Sequence, residues 1–328
     1  MSGQLYPWMR AAWGRVQGRL SRDALPHALL LVGPQGLGAV EFADLLAHSV
    51  LCESRDGQGM PCGECTGCHW FAAGSHPDYY RLEVEADGRQ IRVEQVRDLI
   101  EFVGLSRQRA PLRVIVVPAA DAMNRNAANS LLKTLEEPPP ASLFVLVSQQ
   151  PRRLPATVLS RCQRIEFRPP PREAGLSWLR AQGVEGEAEL LLHLAHGVPP
   201  LALALQGDEG VAQRRALFLD LIACQSGELS VSALAKQWDR LEIPVWVDWC
   251  LGWWADLIRV AFGAAPMHLD NPDLYQEFRG LSAQVDLRSG FGFQDRLLRL
   301  RGMADTSLNR QLQVEDILLA WNDLFHQS

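Results

Sequence analysis

The sequence predicts an α/β fold for its first half, a parallel sheet with helices on both faces, followed by a helical region. Three short apolar runs rich in branched residues predict buried strands, at Ala28 to Val32, Arg113 to Val117 and Leu143 to Ser148. Amphipathic helical patterns such as Val93 to Val103 lie between them. Beyond the proline-rich break from Arg168 to Arg172 the pattern is helical and predicts no strand.

The first predicted strand leads into a glycine-rich turn of the kind that binds phosphates. Gly33 and Gly38 have the spacing of G-x-x-x-x-G-K-[ST], with Gly36 between them. Such glycines let backbone N–H groups approach phosphates, while the Lys and Ser/Thr supply charge and a magnesium ligand. Here those two positions are Ala39 and Val40. We therefore expect a degenerate P-loop, in a chain that does not hydrolyse ATP.

The end of the second predicted strand has lost a second set of groups. In working P-loop ATPases an acidic pair at such a strand end holds magnesium and polarises water. Pro118 and Ala119 stand there instead. Asp121 follows, and its place before an alanine-rich helical pattern predicts that it caps a helix.

Two further segments flank the third strand. Asn129 to Pro139 predicts a helix with an apolar leucine face, and the prolines end it. After the strand comes Ser160-Arg161-Cys162. Taken alone, Arg161 has two interpretations. It is either an ordinary surface residue or an arginine finger, whose guanidinium neutralises charge on a transferring phosphoryl group.

Four of the seven cysteines crowd into one short region and predict a structural zinc site. They are Cys52, Cys62, Cys65 and Cys68. Two-residue spacers let a tight turn aim neighbouring thiolates at one ion. An iron–sulfur cluster is a rival, since C-x2-C-x2-C also begins those motifs, and four free thiols are a further alternative. His69 or His76 in place of Cys52 is another possible ligand set.

Composition argues against several classes of protein. The net charge is -6 and no long basic run is present, which disfavours strong nucleic-acid binding by this chain alone. The most apolar segment, Val245 to Phe262, carries Asp248, Asp256 and Arg259, which argues against a membrane span. No secretory signal pattern opens the chain, so we expect a cytoplasmic protein.

Tryptophans recur at helical spacing within the same apolar segment, at Trp246, Trp249 and Trp253. They form one broad apolar stripe. The stripe is either an ordinary helical core or an oligomerisation surface, because aromatic residues are enriched in interfaces.

The P-loop frame, the four-cysteine insert, the Asn129 to Pro139 run and the Ser160-Arg161-Cys162 triplet together resemble bacterial clamp-loader subunits of the AAA+ family. The resemblance covers residues 1 to about 205. It implies an AAA+ core at residues 1–168 with a zinc module at about 50–70, a helical lid at 169–207, and a helical collar or oligomerisation domain at 208–328.

The resemblance also implies a role within the DNA polymerase III holoenzyme. The chain would be a non-hydrolysing stator in a ring with motor (gamma/tau) and delta subunits, which loads a sliding clamp onto primed DNA during replication. Arg161 would act in trans, at the ATP site of a neighbouring motor subunit. In the lid, Pro200 stands where hydrolysing members carry a nucleotide-sensing arginine. The implied cofactors are a structural Zn²⁺ and no ATP bound or hydrolysed by this chain.

Two alternatives stay open at this stage. The first is an ATP-hydrolysing motor subunit of the same family that binds ATP through backbone contacts alone. The second is a zinc-dependent nucleic-acid module without a ring partner, against which the acidic net charge and the lack of an aromatic-plus-basic patch count.

Overall fold

The structure is a computed structural model that describes residues 5–85, 90–207, 209–241, 243–302 and 310–325. The chain forms two compact units, Met1–Pro170 and Pro171–Ser328. Asp208, at the predicted boundary between the second and third domains, lies outside the described residues. The three-part division stays a prediction.

The first unit is built on a five-stranded parallel sheet of order β2-β3-β4-β1-β5. Its strands are β1 (Ala28–Val32), β2 (Tyr79–Arg81), β3 (Arg113–Val117), β4 (Ser142–Ser148) and β5 (Gln163–Glu166). The predicted strands correspond to β1, β3 and β4, which are buried along their whole length. The sequence patterns missed β2 and β5, because these short edge strands are half-buried or exposed and show no continuous apolar run.

Helices cover the sheet on both faces, as an α/β fold requires. They are α1 (Arg10–Leu20), α2 (Ala39–Leu51), α3 (Thr66–Ala72), α4 (Val93–Gly104), α5 (Arg125–Glu136) and α6 (Ala156–Leu159). Short 3-10 helices lie at Pro7–Met9, Ala120–Ala122 and Pro151–Arg153. The apolar faces of α4 and α5 pack on the central strands in one continuous core. Because parallel strands share one carboxyl-end edge, the loops after β1, β3, β4 and β5 all emerge there.

The prediction that Asp121 caps a helix is wrong. The helix that follows begins at Arg125, and its cap is Asn124, whose side chain accepts a hydrogen bond from the N–H of Ala127 at 2.9 Å. Asp121 instead accepts a hydrogen bond from the N–H of Gln150 at 2.8 Å. Its carboxylate joins the loop after β3 to the loop after β4.

The described part of the second unit is helical and contains no strand. Its helices are α7 (Arg172–Ala181), α8 (Ala188–Leu194), α9 (Pro199–Ala204), α10 (Glu209–Gln225), α11 (Val231–Trp238), α12 (Ile243–Ala261), α13 (Tyr275–Ser282), α14 (Leu287–Gly302) and α15 (Arg310–Asp323). Short 3-10 helices lie at Pro266–His268 and Pro272–Leu274. Within the described ranges, no helix combines the length and the apolar character needed to cross a membrane.

Two apolar cores lie within this unit. A small one joins α7, α8 and α9, and a large one joins the helices from α10 onward. Trp246 and Trp253 are fully buried in the large core, and Trp249 packs against it from a half-buried position. The tryptophan stripe of α12 is therefore the core of its own unit.

Candidate functional site

The glycine-rich turn joins β1 to α2 at the carboxyl edge of the sheet. Gly36 and Gly38 both have positive φ, 77° and 100°. Gly38 is the residue directly before α2, which begins at Ala39. Ala39 is almost fully buried and Val40 is half-buried. The backbone thus has the strand–turn–helix arrangement of a P-loop. The first two residues of its helix, Ala39 and Val40, have apolar side chains.

The segment before α1 packs directly on this turn. The indole N–H of Trp8 donates a hydrogen bond to the carbonyl oxygen of Leu37 at 3.0 Å. Tyr6 stacks on Trp8 with ring centroids 4.9 Å apart, and Met9 is buried. A Cβ on Gly38 would overlap Met9 and would lie 2.6 Å from the ring of Tyr6. The φ of 100° favours glycine at position 38, and a side chain there would also force Met9 or Tyr6 to move.

The loop after β3 carries Pro118 and Ala119, as the sequence requires, and both are half-buried. The nearby carboxylate of Asp121 is engaged with the backbone of Gln150. Pro118 and Ala119 supply no acidic group at this strand end, and Asp121, the next acidic residue, joins this loop to the loop after β4. Pro200 lies in the first turn of α9, in the second unit.

Arg161 follows α6 and is tied to its own chain by both terminal nitrogens. Nη1 donates to the carbonyl oxygen of Thr157 at 2.8 Å and lies 3.3 Å from the hydroxyl of Ser160. Nη2 forms an ion pair with Glu136, the last residue of α5. The Arg161 side chain is 31% exposed. The neighbouring Cys162 packs against the sheet core, and burial raises the pKa of its thiol to about 11.

The four predicted cysteines converge on one point. Their Sγ atoms all lie within 4.8 Å of one another. The Cys52–Cys62, Cys62–Cys68 and Cys52–Cys65 Sγ distances are 3.6, 3.9 and 3.9 Å. With Zn–S bonds of about 2.3 Å, the corners of a regular tetrahedron lie about 3.8 Å apart. The thiols therefore fit a single tetrahedral ion.

Backbone N–H groups donate to two of these thiols, although burial raises the pKa of Cys52 and Cys68. The N–H groups of Glu53 and Cys68 both donate to Cys65 Sγ at 3.4 Å, and those of Ser54 and Cys62 donate to Cys52 Sγ at 3.4 and 3.3 Å. Burial by itself would raise the pKa of Cys65, but these N–H donors and the adjacent thiols lower it to about 6. A thiolate is the form that binds metal.

The alternative ligand sets fit less well. His76 is buried and its Nδ1 accepts a hydrogen bond from the N–H of Asp78 at 3.1 Å, and His69 is exposed. Neither joins the ligand group found among the described residues. An iron–sulfur cluster places several metal atoms between its thiolates and so separates them more widely than one ion does. The compact arrangement favours a mononuclear site.

The loop between Cys52 and Cys62 is anchored on α1. The indole N–H of Trp13 donates to the carbonyl oxygen of Gln58 at 2.9 Å. The hydroxyl of Ser49 donates to the carbonyl oxygen of Gly59 at 2.6 Å and accepts from Gln17 at 3.2 Å. These bonds hold the loop against α1 and α2.

The cysteine module is also joined to the loop before β3. Arg109 lies over the ring of Trp70, 5.0 Å from its centroid, and its guanidinium is 3.5 Å from Glu53. The buried carboxylate of Asp78 accepts the N–H groups of residues 108, 109 and 110 at 2.7–2.9 Å. Burial opposes the charge of Asp78, but these three donors lower its pKa.

Sequence reasoning located the turn, the arginine and the cysteines, but it missed their partners. Tyr6, Trp8 and Asp78 belong to no motif, and Glu136 lies in the Asn129 to Pro139 run without a spacing that links it to Arg161. Each acts on a residue at least 25 positions away in the chain, so a local pattern gives no signal for it.

Comparisons with known proteins agree on one family. A family model described as DNA polymerase III, delta subunit, matches residues 8–171, and one for the C-terminal part of that subunit matches residues 208–323. DNA polymerase III subunit delta′ of Pseudomonas aeruginosa is 36% identical over 326 residues, covering 98% of each chain. The delta′ subunit of Escherichia coli is 32% identical over 325 residues, covering 96% of this chain and 94% of that protein. The tau subunit of Escherichia coli is 34% identical over 219 residues, which are 66% of this chain and 32% of that protein.

Proposed function

Because the chain belongs to the delta′ family of DNA polymerase III subunits, we propose that it is the non-hydrolysing stator of a clamp loader. Ala39 and Val40 at the start of α2 carry this proposal. They replace the amine that neutralises phosphate charge and the hydroxyl that holds magnesium. The packing of Tyr6 and Met9 on Gly38 supports it, because the turn is then used to hold the N-terminal segment.

We further propose that Arg161 is an arginine finger that acts in trans. Its side chain is partly exposed on the loop after α6, and its planar fork suits a phosphate oxygen pair. The chain would thus lack a working ATP site of its own while completing the site of a neighbouring motor subunit.

The partners in this proposal are the gamma/tau motor subunits and the delta subunit, with the sliding clamp and primed DNA reached through the complex. The relation to the tau subunit of Escherichia coli supports a common subunit architecture. The place of action would be the cytoplasm, where the chromosome is copied.

The test is reconstitution of the clamp loader with wild-type chain or with Arg161→Ala. We expect the variant to assemble but to load clamps more slowly. An arginine finger is worth about 10³–10⁵ in rate in well-studied GTPases, and the whole loader should lose less because several sites contribute. Arg153→Ala, an exposed arginine in the same connection, is the matched control. Undiminished loading with Arg161→Ala would refute the trans role.

The competing function is that of a motor ATPase, which can be tested on the isolated chain. A nucleotide titration and a turnover assay on the isolated protein should show weak or no binding and no hydrolysis. Tight ATP binding together with turnover would show that the chain is an ATP-hydrolysing motor subunit instead.

We also propose that the four cysteines hold one structural Zn²⁺. The fit of their Sγ distances to a tetrahedron supports this. Elemental analysis should give one zinc per chain. Cys65→Ser should release the metal and lower stability, whereas Cys162→Ser, which alters a thiol outside the cluster, should retain it. Full zinc content in Cys65→Ser would contradict the assigned ligand set.

A further inference from the structure

Arg161 does not stand free on its loop. It is held at three points, by the carbonyl of Thr157, by the hydroxyl of Ser160 and by the carboxylate of Glu136. The first two belong to its own short helix and the turn after it. Glu136 is different, because it comes from the end of α5, 25 positions earlier in the chain.

The ion pair joins the two segments that stood out in the sequence, the Asn129 to Pro139 run and the Ser160-Arg161-Cys162 triplet. The spacing of the two segments in the sequence does not indicate that they are in contact. In the structure α5 packs against α6, which places the last carboxylate of α5 beside the guanidinium. Because Glu136 is the last residue of α5, the helix fixes the backbone position from which its side chain extends.

An arginine has many rotamers, and fixing its guanidinium costs conformational entropy each time the group is used. A carboxylate on Nη2 and a carbonyl on Nη1 together define both the position and the plane of the fork. Both side chains are partly exposed, 31% for Arg161 and 45% for Glu136, so the pair contributes little to folding. Its effect is therefore on where the guanidinium points.

We propose that Glu136 is the positioning residue of the arginine finger: its carboxylate orients Arg161 toward the phosphates of a neighbouring subunit. This inference rests on the proposed trans role of Arg161. Glu137, the next residue, is also exposed but forms no described ion pair, and it is the matched control.

The experiment measures DNA-stimulated ATP turnover of the reconstituted clamp loader. We expect Glu136→Ala to lower kcat about three- to tenfold with little change in the KM for ATP, because a misaimed finger weakens transition-state contacts more than binding. Glu136→Gln should fall between wild type and Glu136→Ala, since the amide oxygen still accepts a hydrogen bond. Glu137→Ala should match the wild type.

A double-mutant cycle separates positioning from a general structural effect. In an Arg161→Ala background, Glu136→Ala should cause no further loss, because the group it orients is gone. A further loss there, or a faster rate in the single Glu136→Ala variant, would overturn the positioning role.

The two proposals fail in different ways. If Arg161→Ala leaves turnover unchanged, the trans finger itself is wrong. If Arg161→Ala lowers turnover while Glu136→Ala behaves like Glu137→Ala, the finger stands and the positioning role of Glu136 is refuted.

Discussion

The glycine-rich turn and the Arg161 segment lie in the same unit and differ in how far their side chains are buried. The turn has the form of a phosphate site, yet Leu37 is buried, Ala39 is nearly so, and Gly38 is packed under Tyr6 and Met9. Arg161, in contrast, keeps a partly exposed charged group, paired with Glu136 and with the carbonyl oxygen of Thr157.

The residues of the turn are packed against neighbouring side chains, whereas Arg161 is partly exposed. A motif that has lost its chemical groups can persist because its backbone is needed for packing. A charged side chain with exposed partners contributes little to folding, which is compatible with the role at another subunit that we propose for Arg161. Changes in the turn should alter stability, and changes at Arg161 should alter function.

The largest expected effect on stability is that of Gly38→Ala. The new Cβ would overlap Met9 and approach Tyr6, and φ of 100° is strained for any side chain. Together these should lower the free energy of unfolding by roughly 2–4 kcal/mol, measured by urea titration with circular dichroism. Gly14→Ala, in α1 with open space around it, is the control and should be neutral or slightly stabilising. Equal stabilities of the two variants would contradict a structural role for Gly38.

A smaller effect is expected from Trp8→Phe, which removes the indole donor to the Leu37 carbonyl but keeps an aromatic ring. The loss of that hydrogen bond should cost about 1 kcal/mol of unfolding free energy. ATP binding to the isolated variant should be no tighter than that of the wild type, because the missing lysine and hydroxyl are not restored. Binding that appears in this variant would show that the cover, and not the lost groups, excludes nucleotide.

The smallest effect on stability is expected from Arg161→Lys. The charge remains while the planar fork is lost, so the free energy of unfolding should change by less than about 0.5 kcal/mol. Clamp loading by the reconstituted complex should nevertheless fall. A clear loss of stability in this variant would show that the segment is structural after all.

Much of the fold and of the candidate site could be predicted from short stretches of sequence. Strands buried on both faces, such as β3, read as continuous apolar runs because every side chain meets the core. The edge strand β5 could not be predicted, since it is largely exposed and its pairing depends on β1 far away in the chain. The prediction that Asp121 caps a helix failed for a related reason. Its carboxylate accepts a hydrogen bond from the backbone of Gln150 in another loop, and the nearby Asn124 caps the helix.

The residues at Ala39 and Val40, the spacing of the four cysteines and the presence of Arg161 can be seen in short stretches of the chain. The contact of Gly38 with Tyr6 and Met9, the tetrahedral distances between the thiols and the ion pair of Glu136 with Arg161 appear only in the folded structure. These contacts join residues that are far apart in the chain. Motifs consist of neighbouring residues and can be recognised in the sequence. Burial, side-chain orientation and ion pairing depend on helices and strands that meet only when the chain folds.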